Sequence, residues 1–437
     1  MIEGLQSFQN IFKIPELKRR LLITVGLLAA YRVGAHVVTP GVDSHVLSLI
    51  FDQVQSGLLG MVDLFSGGNL RRLTVFALGI MPYISASIIL QLLTVVIPTL
   101  ERLAKEGEAG RKKITQYTRY GTIILSAVQA TGIAVGLERM QGPGGVPVVP
   151  VPGWGFRLLT VLTLTTGTAL IMWLGEQISE KGIGNGISLI IFAGIVVRLP
   201  SAVKDSYVLI SQGELKLFAF GALVVMMVLV TAAVVIMQEG QRKIPVQYAK
   251  RVVGRRIYGG QSTHIPLRVN TAGVIPVIFA SSIILFPATL AQFIPHPWMK
   301  AISDSLSPGA FTYTLLYAGF IIFFTYFYTA IVFNPIDLAD NMKKYGGFIP
   351  GVRPGKKTAE YIDRTLTRIT LPGAVFLALI SILPDLLIRW FNVPFYFGGT
   401  SLLIVVGVAL DTVRQMESHL LMRHYEGFLR KKARVGV

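Results

Sequence analysis

Hydrophobic and polar positions in this chain come in long blocks, not at the short periods of a soluble fold. Ten apolar segments lie near 21–38, 74–97, 120–137, 157–175, 184–199, 216–237, 271–290, 312–333, 369–388 and 396–413. Each is close to the length of about 20 residues that a helix needs to cross about 30 Å of hydrocarbon. Several are interrupted by Gly or Pro, which a membrane helix tolerates where its neighbours satisfy the freed backbone groups. The fifth is short and glycine-rich. A weaker apolar stretch at 57–72 is too short to span and ends in Ser66-Gly67-Gly68-Asn69. A re-entrant helix, an interfacial helix and a loop all fit it.

The cationic residues test this division. Of 41 Lys and Arg, 31 fall in alternate connecting segments: 1–20, 98–119, 176–183, 238–270, 334–368 and 414–437. Nine lie in or beside the intervening segments, and Arg32 is inside the first span. An asymmetry that follows strict alternation predicts ten spans with both termini cytoplasmic, because Lys and Arg accumulate on the cytoplasmic side. Ten spans divide into an N-terminal half (21–199) and a C-terminal half (216–413), flanked by a cytoplasmic amphipathic segment at 1–20 and a basic tail at 414–437. Five spans per half make the halves antiparallel, as in inverted repeats.

Composition agrees. The chain is 52% hydrophobic and 15% charged, whereas soluble domains average about 25% charged. The net charge of +18 sits largely on one side of the predicted membrane, so it does not by itself call for nucleic acid. Two long basic loops, 238–270 and 334–368, both belong to the C-terminal half. Their charge suits anchoring to anionic headgroups and equally a docking surface for a cytoplasmic partner. There is no cysteine, which excludes disulfides and thiolate chemistry. No cleavable signal is expected, since Lys18-Arg19-Arg20 precede an apolar run too long for a signal peptide.

Catalytic patterns are missing from the sequence. The six histidines (His36, His45, His264, His296, His419, His424) lie in loops or at segment ends, and none forms a metalloprotease pair with Glu. No phosphate-binding loop ending in Gly-Lys-Ser/Thr is present. The chain is therefore expected to be neither an enzyme nor a holder of a cofactor or metal. A coupled transporter needs ionisable residues near the midplane, but Arg32, Glu176 and Asp411 all lie towards span ends. An intramembrane hydrolase would need a buried Ser/His or Asp/Asp pair. A pore or scaffold with a largely apolar interior remains, and an apolar constriction can seal a pore by dewetting.

Four stretches then carry a resemblance. Residues 76–93 read FALGIMPYISASIILQLL, 182–194 read GIGNGISLIIFAG, 272–289 read AGVIPVIFASSIILFPAT and 349–355 read IPGVRPG. In this order and at these span positions they resemble the SecY family, the pore-forming subunits of the bacterial protein-conducting channel. The resemblance runs from Ile14-Pro15-Glu16-Leu17 to the basic tail. It implies an all-α polytopic membrane protein of ten transmembrane helices, in two inverted five-helix halves around an hourglass pore. At the waist it implies a ring formed by Ile80, Ile84, Ile187, Ile191, Ile278 and Ile404, a gasket without hydrogen-bonding sites for water or ions. It makes 57–72 a short re-entrant plug helix, with Met61, Asp63, Leu64, Phe65, Ser66, Gly67, Gly68 and Asn69. Asp63 and Ser66 are expected to face an aqueous funnel.

The same resemblance implies a lateral gate between spans two and three and spans seven and eight. It carries Ser85, Ser87, Gln91, Ser281, Ser282 and Phe286, whose small hydroxyl residues would let helices approach and exchange hydrogen bonds across the seam. On the basic loops it marks Arg242, Lys250, Arg251, Arg255, Arg256 and Arg353 for docking the motor ATPase SecA or a translating ribosome, with contact to ribosomal RNA. Partners implied are SecE and SecG in a heterotrimer, preproteins with signal sequences, and anionic lipids. The implied location is the bacterial plasma membrane, and the implied function is passage of unfolded polypeptides across it with sideways release of apolar segments.

Overall fold

The computed structural model describes residues 14–53, 60, 63, 65–213, 217–248, 251–253, 256–258, 262–293, 298, 301, 305–307, 310–391 and 399–435. The N-terminal half contains α1 (Pro15–Gly34), α2 (Ser44–Gln53), α3 (Met81–Val96), α4 (Pro98–Lys105), α5 (Glu108–Arg139), α6 (Trp154–Lys181), α7 (Gly186–Val196) and α8 (Leu199–Ser211). The C-terminal half begins with α9 (Leu217–Glu239) and strands β1 (Gln241–Tyr248), β2 (Arg251–Val253), β3 (Arg256–Tyr258) and β4 (Ser262–Arg268). It continues through α10 (Ile275–Phe293), α11 (Phe311–Val332), α12 (Pro335–Lys344), β5 (Gly347–Phe348), α13 (Lys356–Phe391) and α14 (Gly399–Val435).

Each of the ten apolar segments falls on a helix. Among the described residues six helical stretches are long and apolar enough to cross a membrane, and the bent pair α3–α4 makes a seventh if counted as one span. The other three segments are on α1, which opens with Lys18, Arg19 and Arg20; on α10, which holds Pro287; and on α14, whose polar end runs to Val435. The segment expected as a basic tail is thus helical through residue 435, continuous with the last span. Large apolar side chains on the outer faces are exposed, among them Leu22, Leu162, Phe218, Val228 and Leu315. Exposure of this kind suits contact with lipid rather than water.

Boundaries follow local chemistry. The second segment was expected to be helical from residue 74, yet residues 70–80 form consecutive turns and α3 begins at Met81. Gly79 adopts φ +58° and Pro82 occupies the first helical turn, a stop followed by a start. At the far end Ile97 is extended before Pro98, as a residue preceding proline prefers. The chain bends there by 101°. Asn185 caps α7, its side chain accepting from the amides of Ile187 and Ser188 at 3.1 and 3.3 Å.

The largest core runs through both halves and gathers side chains from α1, α3, α6, α7, α10, α11, α13 and α14. Two seams join the halves: α10 packs on α3 and α5, and α14 packs on α7. A second core, with Leu47, Leu73, Ala134 and Leu164, belongs to the N-terminal half alone.

The two basic loops depart from the all-helical expectation. β1 pairs antiparallel with β4 over seven residue pairs from Gln241↔Arg268 to Gln247↔Ser262, and with β5 through Gln247↔Phe348 and Tyr248↔Gly347. The loops expected to dock a partner are therefore one body with its own core of Ile244, Val246, Leu267, Met342, Ile349 and Ile362. Alternation in β1, where Ile244 and Val246 point inward and their neighbours outward, is the period-two signature of a half-buried strand. Gly, Pro and Arg in these loops masked it.

Candidate functional site: a constricted pore between the halves

Six isoleucines from four elements meet in the shared core. Ile80 sits immediately before α3 and Ile84 on it; Ile187 and Ile191 are on α7, Ile278 on α10 and Ile404 on α14. Five are at most 5% exposed, while Ile187 is half-buried at the rim of the cluster. Helices of both seams contribute to this core. Such a cluster offers passing water no partner, and water in a narrow apolar neck is expelled.

On one side of this neck the short segment before α3 folds back into the molecule. Residues 65 and 66 are helical, Gly67 and Gly68 turn the chain at φ +73° and +84°, and Phe65 joins the shared core. Met61 and Leu64 lie outside the described residues. Asp63 and Ser66 do not face an open funnel: they are 3% and 1% exposed. The physical reason is a network that satisfies them. Asp63 pairs with Arg198, at the junction of α7 and α8, and accepts from the amide of Arg71 at 2.9 Å. Its carbonyl accepts from Gly68 N at 2.9 Å and Ser66 Oγ at 3.0 Å. Asn69 donates to Ser66 O at 2.5 Å and to Tyr31 Oη at 3.2 Å. Tyr31 on α1 stacks on Phe76 with ring centroids 5.5 Å apart. Tyr31, Gly194 and Arg198 were not singled out from the sequence. Arg198 was the visible signal, a cation ending an apolar run, but was read only as an outer flank.

At the α3/α5–α10 seam, Ser85, Ser282 and Phe286 line one small cavity together with Met81 and Gln129. Gln129, on α5 and 7% exposed, is a polar seam residue that the sequence reading missed. Ser281 and Ser282 both donate to the carbonyl of Ile278, at 2.9 and 2.8 Å. The contact recorded across the seam is Ser282 Oγ to Met81 Sδ at 3.8 Å. Ser281 thus bonds back along its own helix, as serine does in an apolar setting, while Ser282 Oγ reaches both Ile278 O and, across the seam, Met81 Sδ. Ser87 and Gln91 lie one turn apart on α3, Gln91 Nε2 donating to Ser87 Oγ at 3.2 Å.

A cavity of about 200 Å³ is lined by Asn185, Ser188, Gln238, Asn270, Asp411 and Arg414, among others. Gln238 Nε2 and Asn270 Oδ1 are buried with no partner in the protein, which suits a wet mouth. Arg414 bridges to Glu239 at 2.6 Å and to the Gln238 carbonyl at 3.2 Å. Arg119 on α5 grips Glu176 on α6 through two bonds of 2.9 and 2.8 Å.

On the two-loop body, Arg242 on β1 and Arg353 are exposed. Arg353 rides a turn between Gly351 (φ +79°) and Gly355 (φ +100°), its carbonyl held by Thr358 Oγ1 at 3.0 Å. The backbones of Arg251 and Arg256 lie on the β2–β3 hairpin, opposite Tyr258 and Val253. Lys250 and Arg255 lie outside the described residues.

Comparison with known proteins adds three findings. The SecY family model matches residues 74–413. The protein translocase subunit SecY of Aquifex aeolicus (strain VF5) is 48% identical over 427 residues, covering 98% of this chain and all of that protein. The protein of the same description from Escherichia coli (strain K12) is 53% identical over 422 residues, covering 96% of this chain and 95% of that one. Among solved structures, a protein-conducting channel covers 93% of this chain and 96% of its own, with 18% identity and a TM-score of 0.62. A SecY structure concerned with the plug domain and the closed state has 19% identity and a TM-score of 0.64 at the same coverage. Sec61 in a canine ribosome–channel complex has 17% identity and a TM-score of 0.58, again covering 93% and 96%. These likenesses are to the fold.

Proposed function

The chain belongs to the SecY family, and from that membership we propose that it is the pore-forming subunit of a protein-conducting channel, a passive conduit for unfolded polypeptides. The observation that supports the reading is that Ile80, Ile84, Ile187, Ile191, Ile278 and Ile404, from both halves, share one apolar core, which we read as the closed neck of the pore. Branched apolar side chains yield around a peptide of any sequence and bind none of it strongly, while the resting neck stays dry. The segment around Asp63–Asn69 is the plug on the outer side of that neck.

The α3/α5–α10 seam is the lateral gate. Small residues, with serine hydroxyls bonded mainly along their own helix, let it part at low cost, because few interactions across it are broken. An apolar segment leaving the pore sideways gains about 25 cal/mol for each Å² of apolar surface removed from water. The body formed by β1–β5, α12 and the start of α13 is the docking surface, with Arg242, Arg251, Arg256 and Arg353 addressing carboxylate or phosphate. The relatives are named as translocase subunits and one solved neighbour is a ribosome–channel complex, which supports the ribosome as a driver; SecA is the alternative driver in this reading. SecE and SecG complete the heterotrimer, anionic lipid meets the basic side, and both termini lie in the cytoplasm of a bacterial plasma membrane. The chain supplies no catalytic group, so the energy comes from its partners.

The test is protease protection. The chain is reconstituted with SecE and SecG in proteoliposomes, with SecA and ATP outside, and challenged with a preprotein carrying an intact or deleted signal sequence. Protection that requires both ATP and the signal is expected. If folded complexes give none while control vesicles do, the channel reading fails.

A further inference from the structure

The buried ion pair between Asp63 and Arg198 is unusual in its surroundings. Asp63 has a side chain 4% exposed, and Arg198 one that is 29% exposed. The carboxylate is fully engaged, one oxygen on Arg198 and the other on the Arg71 amide. Gly68 lies beside the guanidinium, where a Cβ would stand at ordinary contact distance, 3.6 Å, from both Arg198 Nε and Nη2, and its φ of +84° favours glycine. Arg198 is itself fixed, its amide on the Ile195 carbonyl at 3.1 Å and its carbonyl holding Ser201 Oγ at 2.8 Å. Seven positions earlier, about two helical turns, α7 carries Ile191 of the neck. The same end of α7 presses Gly194 against Gly67.

We propose that Arg198 is the positioning residue that latches the plug to the end of α7, so that a rearrangement of α7 at the neck and release of the plug are one event. This rests on the reading of residues 57–72 as the plug. A carboxylate so buried keeps its place only while its cation is present, since an unpaired charge in a dry site is strongly disfavoured. Moving α7 away from the plug breaks the pair and drives Asp63 towards water, where a displaced plug would put it. The opening step is thereby biased by one charge pair rather than by apolar packing alone.

The test measures resting ion conductance of the reconstituted complex. Arg198→Gln should raise the open fraction by about tenfold, the factor expected for loss of a part-buried charge-assisted pair. Asp63→Arg with Arg198→Asp together should return conductance towards that of the parent. Deleting 61–69 sets the ceiling, and adding Arg198→Gln to that deletion should change nothing. If the deletion conducts but Arg198→Gln stays at the parent level, the latch is refuted and the plug stands. A deletion that leaves the baseline unchanged overturns the plug and the latch with it. Because the chain has no cysteine, Asp63→Cys with Arg198→Cys gives a second measurement that works even if the Gln variant folds poorly. A short cleavable thiol crosslinker should join the two in the resting channel and stop export until it is cut. Absence of the crosslink, or undiminished export while it is intact, would sink the proposal.

Discussion

Gly67 and Gly194 meet backbone to backbone: a Cβ on Gly67 would stand 2.9 Å from the Gly194 Cα, and one on Gly194 3.0 Å from the Gly67 Cα. Neither side can give, because the nearest atoms are main chain. Gly67 also needs φ +73°, which disfavours any side chain. Gly194→Ala should therefore prise the segment off α7 at a cost of about 1–3 kcal/mol, the usual range for overpacking. The readout is resting conductance alongside thermal stability of the complex. A stable complex with an unaltered baseline would show that the segment is not held at this contact.

The neck predicts its own phenotype. Ile404 is fully buried and Ile278 is 5% exposed, so Ile404→Asn or Ile278→Asn places an amide where no partner waits, at about 1–3 kcal/mol. Such a group recruits water and loosens the seal. Ion leak should rise, and preproteins with weakened signal sequences should be exported more readily. Unchanged leak together with unchanged signal stringency would argue for ordinary packing.

Ser282 is 1% exposed and already satisfied by Ile278 O. Ser282→Leu adds bulk against Met81 and the small seam cavity, and the one bond it removes across the seam is the long 3.8 Å contact to Met81 Sδ. It should wedge α10 from α3, relaxing signal stringency while SecA-driven export of an intact preprotein continues. Tighter stringency would place the resistance to opening elsewhere.

The two-loop body separates folding from docking. Arg353→Glu reverses an exposed charge and should abolish SecA-stimulated export with the protease-resistance pattern intact. Ile244→Asp buries a carboxylate in the β1–β4–β5 core and should expose both basic loops to protease together, since Ile244 and Ile349 share that core. Cleavage confined to 238–270 would mean that the loops fold independently. Normal export by Arg353→Glu would remove Arg353 from the docking surface.

The sequence by itself determined that lipid is the solvent, and it set the expectation of sidedness. Blocks of about 20 apolar residues and the alternation of Lys and Arg depend only on the bilayer's thickness and its electrical asymmetry, so they are legible without any contact. Family likeness was equally legible, because motifs such as 182–194 are contiguous. Contiguity is also why Ile80, Ile84, Ile187, Ile191 and Ile278 could be named although they come from separate elements; Ile404 lies outside those stretches. What only the tertiary structure decided depends on partners distant in sequence. Asp63 reads as a funnel residue until Arg198, 135 positions away, is brought against it. Ser281 reads as a cross-seam donor until Ile278 O takes its bond, whereas Ser282 also reaches Met81 across the seam. Residues 73–80 are mostly apolar because they are mostly buried, and burial does not say whether a segment is helix or turn. The basic loops look irregular because neither has a core alone; pairing β1 with β5 supplies one, and long-range pairing of that kind leaves no local signal.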